Sequence, residues 1–296
     1  MHSTSATRKA SGKGSAGFDH HIGRIGRASL LCLPCPSYSD KYKIDYKTGN
    51  SMDRVSKEEV LLNVMSQGKG RRVISAENVN PLKIAELTRE MVSDGGVIHP
   101  VPYARIKDFT FDEINLFLMQ TALYTFPTVE LVEWLRSEID DGGEFAPDAI
   151  EICCGNGWLG RELDIPITDS RLQEREDIMK IYREMGQPVI QYPNDVEKLD
   201  AVSAVKKYQP EFVIGSYVTN KWGNGTSRKV GNIYGVDNGW IAANCHKYFM
   251  IGNENVHGRD IVMKRKHQEL TFDWLVTRGD SSKARIYVFE NKQWTP

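Results

Sequence analysis

The amino-acid sequence predicts an α/β fold: a seven-stranded, mostly parallel sheet covered by helices, closed by an antiparallel C-terminal hairpin strand and preceded by a helical extension. Three observations carry this prediction. Short apolar runs alternate with helical stretches from residue 149 onward. The first of these runs, Ala149-Ile-Glu-Ile-Cys-Cys154, ends in Gly-Asn-Gly and feeds a helical pattern. The chain finishes with two strand-like runs in succession, joined by Gly279-Asp-Ser-Ser-Lys283 as a hairpin-like turn.

The N-terminal 51 residues stand apart. They are rich in Ser, Gly, Lys and Arg and poor in acids. They offer too little apolar surface to offset chain entropy, and a disordered tail is expected. Cys32-Leu-Pro-Cys35 lies in this tail without a second cysteine pair or a strand-helix context, so it reads as a tail feature. Residues 52–125 read as a helical cap. Ser56-Lys-Glu-Glu59 is a capping-box pattern leading into Val60, Leu61 and Val64. Asn80-Pro81 opens a second helix, with Ile84, Leu87, Met91 and Val92 on one side and Gly95-Gly96 beyond its end. A third helix is expected over 110–124 and a fourth over 128–139, stopped by Asp141-Gly142-Gly143.

From residue 126 to 296 the pattern is that of one α/β domain. After the first strand, strands are predicted at 165–168, 189–192, 212–218 and 248–251, then at 270–277 and 284–290. Helices are predicted between them at 171–185, 196–208 and 236–245. Bulk properties exclude several function classes. The net charge is -1, from 38 basic and 39 acidic residues, so no global basic field draws in nucleic acid. No apolar run approaches the roughly 20 residues of a membrane-spanning helix. Five cysteines, an odd number with two adjacent, fit a reducing, cytoplasmic setting better than a secreted disulfide framework.

Chemistry concentrates in Glu151-Ile-Cys-Cys-Gly155-Asn-Gly157-Trp-Leu-Gly160. A strand that ends in a glycine-rich turn lets a ligand approach backbone N–H groups closely. Gly155-x-Gly157-x-x-Gly160 also matches the dinucleotide fingerprint. Two features oppose that reading. Glu151 precedes the glycines on the strand, where a carboxylate suits cationic amino and sulfonium groups and not a pyrophosphate. Asp169 follows Gly160 by nine residues, whereas the dinucleotide pattern places its ribose acid roughly 20 residues on.

The stretch resembles motif I of the class I, Rossmann-like S-adenosylmethionine (AdoMet)-dependent methyltransferases, and the resemblance extends over about residues 126–289. It implies that Glu151, Cys153, Gly155, Asn156 and Gly157 form the cofactor loop and that Asp169 binds the ribose hydroxyls. Asp195, in Tyr192-Pro-Asn-Asp-Val-Glu197, is similar to the acid that meets the adenine amino group. Ser216-Tyr217 ends the fourth strand where the family places motif IV, beside the methyl group. The chain departs from the family at Cys153, which replaces the first glycine of the loop, in its short first helix, and in the Ile-Gly-Ser-Tyr-Val of the fourth strand. Bland readings stand beside these: Asp169 and Asp195 are also placed to cap helices.

Substrate chemistry is expected at the carboxyl edge of the fourth and fifth strands. The catalytic candidates are Tyr217 and His257, the latter in Gly252-Asn-Glu-Asn-Val-His-Gly258 as a general base. The Gly-rich segment 219–237 is expected to cover the substrate, with Trp222 and Arg228 touching it. Lys264-Arg265-Lys266-His267 reads as a solvated loop or a phosphate contact. The cofactor implied is AdoMet, and no metal is expected. The acceptor, whether small molecule, protein or nucleic acid, is not legible. The alternatives are a non-catalytic AdoMet or nucleoside binder and, further off, an NAD-dependent oxidoreductase.

Overall fold

A computed structural model describes residues 74–140, 148–184, 187–221 and 231–295. The predicted tail, the 56–59 capping box, Cys32, Cys35, the 141–143 stop, Trp222 and Arg228 lie outside the described residues.

Three helices come first: α1 (Pro81–Met91), α2 (Phe111–Gln120) and α3 (Val129–Ile139). Each starts on a side chain that accepts from otherwise unpaired N–H groups. Asn80 accepts from Leu82 and Lys83, and Thr128 accepts from Leu131. Thr110 and Glu113 form a reciprocal capping box. The Glu113 carboxylate also accepts from the Asn80 N–H at 3.0 Å and pairs with Lys83 at 3.1 Å, which joins the starts of α1 and α2.

The sheet follows in the order β3-β2-β1-β4-β5-β7-β6. Its strands are β1 (Ala149–Ile152), β2 (Ile167–Asp169), β3 (Glu197–Lys198), β4 (Phe212–Ser216), β5 (Lys247–Asn253), β6 (Gln268–Leu270) and β7 (Ala284–Glu290). β1 pairs in parallel with β2 and β4, β2 with β3, and β4 with β5; β7 runs antiparallel to both β5 and β6. The predicted Rossmann-like seven-stranded sheet with its antiparallel C-terminal strand is therefore present.

Side chains alternate between two cores, as the strand period of two requires. Ala149, Phe212, Ile214, Phe249, Ile251, Ile286 and Val288 pack with α1–α3 and with α4 (Trp158–Leu163). Ile150, Ile152, Val213, Tyr248, Met250 and Phe289 pack on the other face with α6 (Ala201–Tyr208) and α7 (Asn238–Ile241). Two further helices are α5 (Glu176–Glu184) and α8 (Glu254–His257). Among the described residues no helix is long and apolar enough to cross a membrane.

Three elements differ from the sequence expectation. The third strand is not 189–192 but Glu197–Lys198. Pro188 and Pro193 flank the expected run and remove ladder donors, and the Ile190 N–H bonds to the Gln173 side chain at 2.9 Å. The helix expected from residue 196 starts only at Ala201, capped by Asp200. The strand expected over 270–277 is Gln268–Leu270, because the chain then turns toward the helical layer. There Thr277 bridges Thr125, and the Phe126 N–H donates to Val276 O at 2.8 Å.

Candidate functional site

The sheet order reverses about β1, which has β2 on one side and β4 on the other. A crevice at such a switch point, outside the carboxyl ends of the strands, is where open α/β sheets take ligands. The strand ends here are Ile152, Asp169, Ser216 and Asn253.

The loop leaving β1 is built from left-handed residues. Cys153 has φ 52, Gly155 φ 61 and Gly157 φ 73. At Cys153 a Cβ is carried where glycine is the unstrained choice, at about 1–2 kcal/mol. Cys154 N–H donates to Thr168 O at 3.1 Å, and Gly157 N–H donates to Cys154 O at 3.0 Å. Asn156 accepts from the Trp158 N–H at 3.2 Å. A Cβ on Gly160 would stand 2.9 Å from Glu151 Oε2, so this glycine serves the close approach of α4 to the sheet.

Glu151 is 1% exposed, and its Oε2 accepts from the Gly160 N–H at 2.8 Å. Burial pushes its carboxyl up to about 8, opposed by that N–H. It is therefore protonated at neutral pH and braces α4 against β1. Asp169 closes the loop from the next strand: its Oδ2 accepts from the Gly155 N–H at 3.0 Å and its Oδ1 from the Arg171 N–H at 2.7 Å. Burial raises its carboxyl above the usual range, against those two N–H groups, the Tyr192 hydroxyl and Arg171. Asp195 is half exposed and receives a two-point bond from Arg161, at 2.9 and 3.1 Å, which holds its carboxyl below the usual range. Arg161 also donates to Asn156 O at 3.2 Å, and so gathers Asp195 to the loop. Neither Asp169 nor Asp195 caps an α-helix. Asp169 accepts within a local turn, while Asp195 is committed to Arg161.

At the end of β4, Ser216 Oγ bonds Thr125 Oγ1 at 2.8 Å. Tyr217 takes a left-handed backbone at φ 59, and its hydroxyl donates to Arg278 O at 2.8 Å. His257, the general-base candidate, is the last residue of α8. It is 2% exposed, its Nδ1 accepts from the Asn253 N–H at 3.0 Å, and its ring meets Tyr217 edge-on at 4.9 Å. Burial lowers its pKa to about 4, so the ring is neutral at neutral pH. The motif residues from β1, β2 and β4 thus come together at one sheet edge, with His257 behind Tyr217. Cys153 and Cys154 have thiols pushed far up by burial, which removes them as thiolate nucleophiles at neutral pH.

No family profile and no curated protein matches this chain. Among solved structures, a protein of Thermoplasma acidophilum is 16% identical, with 61% of this chain and 96% of that chain covered, at a TM-score of 0.27. An uncharacterized protein from Listeria monocytogenes serotype 4b is 14% identical, with 56% of this chain and 70% of that chain covered, at 0.28. A SAM-dependent methyltransferase from Agrobacterium tumefaciens is 11% identical, with 56% of this chain and 63% of that chain covered, at 0.31. At such TM-scores the fold is assigned from the strand order and directions within this chain.

Sequence reasoning missed several residues that line the same edge: Tyr124, Tyr182, Tyr192, Arg161 and Arg278. Their positions fit no motif spacing, and only the antiparallel bridge of Thr125 with Thr277 brings Arg278 to Tyr124. Among the described residues no group of three or more His, Cys, Asp or Glu stands ready to hold a metal ion.

Proposed function

We propose that the chain binds AdoMet at the β1–β4 switch point and transfers its methyl group to an acceptor at the ends of β4 and β5. The observation that carries this reading is the loop 153–157, with left-handed backbone at Cys153, Gly155 and Gly157, locked by the Asp169 carboxylate on the Gly155 N–H. The residues fit the cofactor as follows. The loop offers close backbone approach, Asp169 is the acid placed for ribose hydroxyls at the end of β2, and Asp195 is held at the loop by Arg161 for the adenine end.

AdoMet, when bound, supplies a methyl group already activated on a sulfonium centre. The chain's own part is then positioning, which converts a bimolecular step into an oriented one. Gly155 and Gly157 admit the ligand to the backbone, Asp169 orients it, and Ser216 and Tyr217 face the region beside β4. Glu151 acts indirectly, by holding α4 and the loop that precedes it.

Isothermal titration of the full chain with AdoMet, S-adenosylhomocysteine and NAD tests the reading. Binding of both sulfur ligands is expected, weakened about 10- to 100-fold in Asp169→Ala by loss of a charged hydrogen-bond acceptor. Preference for NAD, or no binding of either sulfur ligand, sinks it.

A second reading, a binder of AdoMet or a related nucleoside without turnover, draws on one observation. The Tyr217 hydroxyl and His257 Nδ1 already hold internal bonds. Cofactor binding without methylation across a broad acceptor panel would favour it. The oxidoreductase reading is opposed by the spacing, since Asp169 ends β2 only nine residues after Gly160, where the dinucleotide pattern places its ribose acid roughly 20 residues on.

A further inference from the structure

We propose that Arg278, with Tyr124, Tyr182 and Tyr217, forms the acceptor side of this site, and that the acceptor is a planar molecule carrying a carboxylate or phosphate. The inference rests on the methyltransferase reading for the word acceptor. The anion site itself rests on the geometry of Arg278.

The position of Arg278 is set by its backbone. Its N–H donates to Tyr124 O at 2.7 Å, its carbonyl accepts from the Tyr217 hydroxyl at 2.8 Å, and the next residue, Gly279, donates to Asn115 Oδ1 at 2.7 Å. These bonds fix the segment before β7 to the end of β4 and to α2. A side chain carried on it is therefore held in place before any ligand arrives, which lowers the ordering cost of binding.

The side chain is charged and uncompensated. Its guanidinium lies 4.1 Å from the centroid of the Tyr124 ring, a cation–π stack. One terminal nitrogen donates to Leu118 O at 2.8 Å, and the other reaches Gln187 Oε1 at 3.4 Å. Both acceptors are neutral. None of the ion pairs among the described residues includes Arg278. Its Nε is buried and makes no hydrogen bond among the described residues. Other buried or half-buried arginines of this sheet edge are paired, Arg161 with Asp195 and Arg171 with Glu174. Each terminal nitrogen carries a second N–H beyond the bond it makes to a neutral acceptor, so the guanidinium remains a charged, forked donor suited to a carboxylate or phosphate.

The surroundings are aromatic and only partly buried. Tyr124 and Tyr217 lie 5.1 Å apart between centroids. Tyr182 feels the charges of both Arg278 and Asp169. All three keep part of their surface open. Partly open tyrosine rings beside a fixed cation select a flat anionic molecule over a neutral one.

The test uses the full chain saturated with S-adenosylhomocysteine, titrated calorimetrically with phenyl phosphate, benzoate and the neutral benzamide. Saturable binding of phenyl phosphate or benzoate is expected, with benzamide at least about tenfold weaker. Arg278→Gln should weaken the anion about 10- to 100-fold while leaving S-adenosylhomocysteine affinity unchanged. Equal affinity for benzamide, or anion affinity unchanged in Arg278→Gln, overturns the proposal. Should S-adenosylhomocysteine itself fail to bind, the cofactor reading falls alone, and the same anion titrations on the unliganded chain still decide the role of Arg278. If circular dichroism shows Arg278→Gln unfolded, Arg278→Lys, which keeps the charge but not the fork, is read in its place. Weakened anion binding then supports the site, and unchanged binding overturns it.

Discussion

Glu151 holds its proton in the folded chain well past the pH at which an exposed glutamate loses it, because burial beside Gly160 pushes the carboxyl up to about 8 from an ordinary 4.5. Between those two values the folded state binds a proton that the unfolded state has released. Stability from this residue is therefore full below about pH 4.5 and falls as pH rises toward 8. Glutamine keeps an oxygen for the Gly160 N–H and has no charge to bury. Glu151→Gln is expected to match the wild type to within about 1 kcal/mol near pH 5 and to exceed it by about 3–5 kcal/mol at pH 8. Urea unfolding at both pH values checks this, and parallel stability curves for the two proteins would contradict it. The same residue shows a limit of pattern reading. The spacing marked Glu151 as part of the loop, but burial against Gly160 turned an expected ligand carboxylate into a brace.

At the scale of elements, the helical starts are legible because capping is local. Asn80, Thr110 and Thr128 each accept from N–H groups two or three residues on, as their types and positions predict. Thr110→Ala removes one half of the capping box, and a loss of about 1 kcal/mol is expected, read from the shift in the denaturant midpoint. No loss would mean that Glu113, already bonded to Asn80 and Lys83, carries the start of α2 without Thr110. Strand ends were less legible. Val189-Ile-Gln-Tyr192 has the composition of a strand yet is not one, because its two flanking prolines and the Gln173 side chain leave no ladder to join. Glu197–Lys198, with no apolar content to announce it, pairs with Thr168 and Asp169 and fills the third position.

Across the whole molecule, α1–α3 and one face of the sheet share a core. Leu87, Met91, Phe117, Leu131 and Leu135 are fully buried in the same cluster as Ile214, Phe249, Ile251 and Ile286. Trp134 adds an edge-on contact to Phe249 at 5.8 Å. A cavity at Leu135 therefore weakens both layers at once. Leu135→Ala is expected to cost about 2–5 kcal/mol and to leave a single unfolding transition. If far-UV and near-UV circular dichroism separated into two transitions, with the helices melting first, the shared core would not govern stability. The loop 153–157 is tied to this layer too, since α4, which follows it, stands on the same core through Trp158 and Leu159.

The sequence by itself determined the order of elements, the parallel sheet with its antiparallel end, the starts of α1–α3 and the loop after β1. These depend on periodicity and on contacts a few residues apart, which one chain read in order displays. Tertiary structure alone decided what faces what. It buried Glu151 and His257, and it committed Asp195 to Arg161, 34 residues away. It also brought Arg278 to Tyr124 across more than half the described chain. Such pairings arise from strand register and from layers closing on one another, and no local spacing encodes them. The candidate site is a hybrid for that reason: its loop is written in adjacent residues, while its charges and aromatic walls are set by the way the sheet edge folds against the first three helices.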